Sequence, residues 1–192
     1  TVGFGYVMAG SAPVLARIAD LPEAAAAGAL VNDFGYDSSG RIATMRSPRV
    51  AAAAASPSAA PATGSNPAAA SLLTQVTYDS SGRVASVTRP AASVGKERTS
   101  VTYSYDQTAT TPTTTATASP SGHVLVTSYD PTTLATVKTT RDGVVTSSTT
   151  YDDDGNPVRV VDVAGGITTS TYDASGALTN RVGPYTSAGS TS

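Results

Sequence analysis

Apolar and polar residues alternate along this chain in short bursts of about seven residues, each closed by a turn signal. Arg83–Thr88 (RVASVT), Val124–Tyr129 and Ile167–Tyr172 carry β-branched and aromatic residues, as half-buried strands do. Other bursts, Val145–Thr150 (VTSSTT) and Thr168–Tyr172 (TTSTY), are polar on both faces. A sheet wetted on both sides suits a thin shell better than a close-packed double layer.

The punctuation between bursts repeats. YDSSGR at Tyr36–Arg41 recurs letter for letter at Tyr78–Arg83, and Tyr-Asp pairs begin at Tyr36, Tyr78, Tyr105, Tyr129, Tyr151 and Tyr172. The gaps are 42, 27, 24, 22 and 21, converging toward the C-terminus. Gly40, Gly82, Gly155 and Gly176 each lie four residues after the tyrosine. An Asp opening a turn accepts bonds from amides two residues on, and the Gly tolerates positive φ, so YDxxG predicts a type I turn closed by a glycine bulge. A second mark falls mid-copy, at Ser119–Gly122, Thr140–Gly143 and Asp162–Gly166. Each copy therefore reads strand, turn, strand, turn. Six copies predict an antiparallel meander of roughly twelve strands. Residues two before each tyrosine share its face. They are Phe34, Val76, Tyr103, Thr127, Thr149 and Ser170, apolar early and polar late.

Three segments depart from this rhythm. Residues 48–71 are an Ala/Pro/Ser-rich insertion, in which prolines at 57, 61 and 67 prevent a long helix. Residues 91–99 lengthen one mid-copy turn, and Glu23–Leu30 after Pro22 is expected to form a short helix. Thr108–Pro120 is mucin-like in composition but occupies a strand position of the third copy. The expected organisation is residues 1–35 as a degenerate first repeat opened by Tyr6, with Pro13–Asp20 as a strand and a short Ala-rich excursion. Residues 36–184 hold the repeats and residues 185–192 a polar tail.

Composition narrows the chemistry. The 192 residues include no Cys, which excludes disulfides and thiolate metal sites. Net charge is −2 and only 14% of residues are charged, which argues against a nucleic-acid partner. No apolar run is long enough to span a bilayer as a helix, and the first ten residues lack the basic and apolar regions of a signal peptide. His123 is the only histidine and no Ser or Asp motif frames it, so it reads as a turn-flanking surface residue. No GxSxG, Walker loop or HExxH occurs. Asp152, Asp153 and Asp154 are the one cluster with calcium-like oxygen ligands, but their spacing is not that of an EF-hand. Tyrosine rows with Arg41, Arg83 and Arg159 read as a packing ladder rather than a sugar or nucleic-acid site. No catalytic residue and no cofactor is expected. The residues that matter are structural: Tyr36, Asp37 and Gly40; Tyr78, Asp79 and Gly82; Tyr105 and Asp106; Tyr129 and Asp130; Tyr151, Asp152 and Gly155; Tyr172, Asp173 and Gly176.

YDSSGRIATM, YDSSGRVASVTRP, YDDDGNPVRVVDVAGG and YDASGALTNRVGP resemble YD repeats, also called Rhs repeats, over about Tyr36–Pro184. Asp130-Pro-Thr-Thr133 and Gln107–Ala109 lack the turn glycine, and Arg follows it only at Arg41 and Arg83; irregular turns are expected there. The resemblance implies an all-β meander forming a curved or spiral sheet, part of a hollow shell. It implies a secreted or cell-surface bacterial protein whose shell encloses a C-terminal toxin cut free by an aspartyl autoprotease. Teneurins use similar repeats in adhesion. Neither the paired autoproteolytic aspartates nor a toxin domain is found in this sequence. The expected partners are further repeats of the same or neighbouring chains, and an enclosed toxin or a surface glycan. The alternatives to a shell segment are an adhesion or carbohydrate-binding module and a subunit of an extracellular filament.

Overall fold

The computed structural model describes residues 2–9, 11–20, 31–46, 73–92 and 96–186. The helix expected at Glu23–Leu30 and the insertion 48–71 lie outside the described residues, as does part of residues 91–99.

The described residues are all-β, and they divide into two compact units, Thr1–Thr102 and Tyr103–Ser192. The first unit holds β1 (Val2–Ala9), β2 (Ala12–Asp20), β3 (Val31–Tyr36), β4 (Ile42–Arg46), β5 (Thr74–Tyr78) and β6 (Val84–Thr88). β7 (Ser100–Asp106) begins in it, and its first three residues pair with β6. The second unit holds β8 (Thr113–Ser119), β9 (Val124–Tyr129), β10 (Thr136–Arg141), β11 (Val144–Tyr151), β12 (Pro157–Val161), β13 (Gly166–Tyr172) and β14 (Leu178–Thr186). Within each unit every strand pairs antiparallel with its neighbours in sequence, which is the expected meander. The described residues form fourteen strands where about twelve were expected. The two extra ones come from the N-terminal hairpin, whose β2 contains Pro13–Asp20. β14 runs to Thr186, so the strand extends two residues into residues 185–192, the expected polar tail.

Among the described residues the buried apolar side chains are Ala16, Leu73, Ala91 and Ile167. A single pleated layer can bury only one side of each strand, so a deep core does not form. The strands do show which side is covered. In β7, Tyr103 and Tyr105 are half-buried while Thr102, Ser104 and Asp106 are exposed; in β11 and β13, Tyr151 and Tyr172 are half-buried beside exposed Thr150 and Thr171. In these three strands the tyrosine face is the protected one. The opposite face carries hydroxyl pairs such as Thr77 with Ser86, 2.7 Å apart.

Candidate functional site: the repeated turn and the tyrosine relay

The turn is built from one carboxylate and one glycine. Asp37 donates its amide to the Arg41 carbonyl (2.8 Å) and accepts the Gly40 amide on its own carbonyl (3.0 Å). Its Oδ1 takes the amides of Ser39 and Arg41, both at 2.9 Å. Gly40 sits at φ 77°, a left-handed conformation that costs an L side chain energy. Asp79 with Gly82 repeats this geometry, and so do Asp152 with Gly155 and Asp173 with Gly176. A register shift marks the bulge at each turn, immediately before Tyr36, Tyr78, Tyr151 and Tyr172.

Asp162 forms the same turn with Gly165 at φ 80°, although no tyrosine precedes it. The turn expected at Asp162–Gly166 is therefore present, with the geometry of the YDxxG turns. The mid-copy turn at Thr140–Gly143 is tighter: Asp142 and Gly143, at φ 51° and 81°, connect Arg141 to Val144 as a two-residue hairpin. The copies lacking glycine are irregular, as expected. Asp130 spans one residue more, to Ala135, and Leu134 takes the left-handed position at φ 58°. Asp106 gathers the Thr108 hydroxyl and the amides of Thr108 and Ala109.

These bonds lower the pKa of the Asp37, Asp79, Asp106, Asp130, Asp152 and Asp173 carboxyls from the ordinary aspartate value. For Asp37 and Asp152 the leading cause is the amide four residues on, and for Asp130 it is the Thr133 amide. For Asp106 and Asp173 it is a hydroxyl, from Thr108 and Ser175. For Asp79 burial pulls upward most strongly, and the bonds from Arg83 and Ser81 together outweigh it.

The tyrosines link one copy to the next. The Tyr36 hydroxyl donates to the Leu15 carbonyl (2.6 Å), Tyr78 to Ile42 (2.8 Å), Tyr151 to Thr136 (3.0 Å) and Tyr172 to Pro157 (3.3 Å). The register gives these acceptors a common identity. Leu15 faces Tyr6, Ile42 faces Tyr36, Thr136 faces Tyr129 and Pro157 faces Tyr151. Each hydroxyl thus lands on the residue opposite the preceding tyrosine, and Tyr6 enters the series as its first member.

Where Arg follows the turn glycine a second link is added. Arg41 pairs with Asp37 at 2.8 Å, and its guanidinium carbon lies 4.2 Å from the centre of the Tyr78 ring. Arg83 pairs with Asp79 at 2.8 Å.

Residues 151–188 match the family model for the RHS Repeat. That segment of the chain is similar to an RHS repeat. The matched segment opens on Tyr151, the last residue of β11, and contains the turns of Asp152, Asp162 and Asp173 and the strands β12, β13 and β14. No curated protein matches the chain.

The remaining candidates fall as follows. Asp152 spends its carboxylate on the Asp154 and Asn156 amides and the Asn156 side chain, while Asp153 and Asp154 are exposed in the turn. Among the described residues no three acidic or histidine side chains converge as metal ligands. His123 has a partner that the sequence did not disclose: its Nδ1 lies 2.8 Å from Asp142 Oδ2, whose other oxygen accepts the Val124 amide. The pair is open to solvent, at 56% and 44% exposure. Sequence reasoning also missed two clusters. Buried Asp33 lies between Arg17 and Arg46, its direct partners on β2 and β4. Arg98 bonds the carbonyls of Leu73 (2.5 Å) and Arg89 (3.1 Å) and the Gln75 side chain (2.8 Å).

Proposed function

We propose that this chain is a structural segment of an Rhs-type shell belonging to a large secreted or cell-surface protein, with no catalysis of its own. The shell encloses or displays a C-terminal effector lying beyond this sequence. The observation that carries the reading is the tyrosine relay. Four copies, those of Tyr36, Tyr78, Tyr151 and Tyr172, are tied to the one before them through a backbone carbonyl, which suits a wall that extends copy by copy, and no described cluster has the form of a catalytic site. A relay of this kind can take up further copies, so the partners are further YD repeats of the same or neighbouring chains. The test is protection of the effector: the parent protein is expressed whole and treated with protease under native conditions. A C-terminal piece that survives until the repeats unfold supports enclosure; a piece digested at once while the repeats remain intact refutes it.

Phe4 and Tyr6, 61% and 64% exposed on β1, favour a second reading, a glycan-binding adhesion surface. A glycan array probed with the chain and with its Phe4→Ala/Tyr6→Ala variant decides this: binding by the first and not the second supports it, and equal signals exclude it.

A further inference from the structure

Two Asp-Gly bonds occur in the sequence, Asp142–Gly143 and Asp154–Gly155, and no Asn-Gly bond. An aspartate followed by glycine can close on its own backbone, because no Cβ shields the glycine nitrogen. That nitrogen attacks Cγ of the aspartate. A C–N bond forms, a C–O bond of the protonated carboxyl breaks, and the hydroxyl leaves with the amide proton as water. Water then reopens the five-membered imide. Opening at the γ carbonyl restores aspartate. Opening at the α carbonyl leaves the chain running through the β carbon, as isoaspartate. Both Asp-Gly bonds lie in exposed turns, so access does not separate them. What holds each carboxyl does.

Asp142 is pinned. Its Oδ1 accepts the Val124 amide, its Oδ2 lies against His123 Nδ1, and its own amide donates to the Val124 carbonyl, each at 2.8 Å. The Val124 amide, and after it His123, lower its pKa from the ordinary aspartate value, so the acid form that ring closure consumes is scarce. Asp154 gives its amide to Asp152 Oδ1 at 3.1 Å, but among the described residues no hydrogen bond holds its carboxyl. Only the bond from the Gly155 amide to the Asp152 carbonyl stands against attack. At 3.1 Å it is the longest of the equivalent bonds in the D-x-x-G turns.

We propose that Asp154–Gly155 is a self-modification site, where isoaspartate forms as the folded chain ages, while Asp142–Gly143 is spared by its clasp to Val124 and His123. The product undoes the turn. An added backbone carbon displaces the Gly155 and Asn156 amides from Asp152. Pro157, whose carbonyl takes the Tyr172 hydroxyl, follows directly, so one link of the relay acquires a weak point that grows with age.

The test keeps the whole chain folded in mildly acidic buffer and then cleaves it after its tyrosines, which puts the two sites on either side of Tyr151 in separate pieces. Isoaspartate in each piece is counted by enzymatic methylation of isoaspartyl carboxyl groups. It should build up about tenfold faster, or more, at Asp154 than at Asp142, since closure at Asp142 must first give up two hydrogen bonds. In denaturant the two sites should react at similar rates. His123→Ala should raise the Asp142 rate severalfold in the folded chain. Asp154→Glu, too long for the five-membered ring, should abolish the signal from its piece. Equal rates in the folded chain overturn the proposal, as does an absence of isoaspartate at Asp154, or a preference for it that survives denaturation unchanged.

Discussion

The two units build the same turn in different company. In Thr1–Thr102 the turn aspartates Asp37 and Asp79 each hold an arginine, and the tyrosine hydroxyls reach their acceptors at 2.6 and 2.8 Å. In Tyr103–Ser192 Asn156 and Ala177 stand where the arginines were, and the corresponding bonds are 3.0 and 3.3 Å and exposed. The first unit carries eight basic and six acidic residues, the second four and eight. Yet the backbone bonds of the turns are alike in both. The geometry therefore belongs to Asp and Gly, while the arginine sets how firmly one copy grips the next. The family model matches residues 151–188 of the second unit, where the spacing of the Tyr-Asp pairs is most regular.

The largest break in this comparison should come from Asp33→Ala, which takes the carboxylate from the poorly exposed Arg46 and from one side of Arg17. It should cost about 3 kcal/mol or more, read as a lowered denaturant midpoint with amide exchange accelerated in β2–β4 first. Next come two substitutions at left-handed positions, with opposite signs. Gly82→Val should destabilise by about 1 kcal/mol or more, while Leu134→Gly should stabilise by about 1 kcal/mol, both measured by thermal melting. An unchanged melting temperature for Gly82→Val would mean that the turn is not the one described.

Removing hydroxyls should then separate the units. Tyr78→Phe should lose about 1 kcal/mol and Tyr172→Phe less, since the second bond is longer and wetter; equal losses would contradict the contrast. Acid supplies a further probe. A carboxyl whose folded pKa is lowered stabilises the fold above its ordinary value near 4, and that contribution is lost as pH falls through the folded value. Amide protection at Ser81 and Ser175 should therefore be full at pH 6 and diminished at pH 3. The smallest effect should come from converting the second unit toward the first. Asn156→Arg offers Asp152 and Tyr172 a new partner and should add no more than about 0.5 kcal/mol, weakened by salt.

Much of this architecture could be read in the sequence. The turn is local: Asp37 finds its partners within four residues, so five letters contain its geometry. The strands followed from what lies between turns, and the irregular Asp130 turn followed from its missing glycine. What could not be read depends on register. Asp33 meets Arg17 and Arg46 across 16 and 13 residues, and His123 meets Asp142 across 19. Such pairings are set by bulges, each of which shifts the partner by one residue and changes which side chains meet. The tyrosine face was likewise ambiguous, because Thr and Ser occupy both sides of the late strands and only three-dimensional coverage distinguishes them.

The tyrosine relay works as a rule of succession. Each member needs only the carbonyl opposite its predecessor, and it leaves the equivalent carbonyl ready for the next. Nothing in such a rule counts. A wall made this way can gain or lose one whole copy without any other copy being altered, whereas half a copy would leave a tyrosine with no place to land. Length is then free to vary in steps of one repeat, and whatever stops the series must be something other than a repeat.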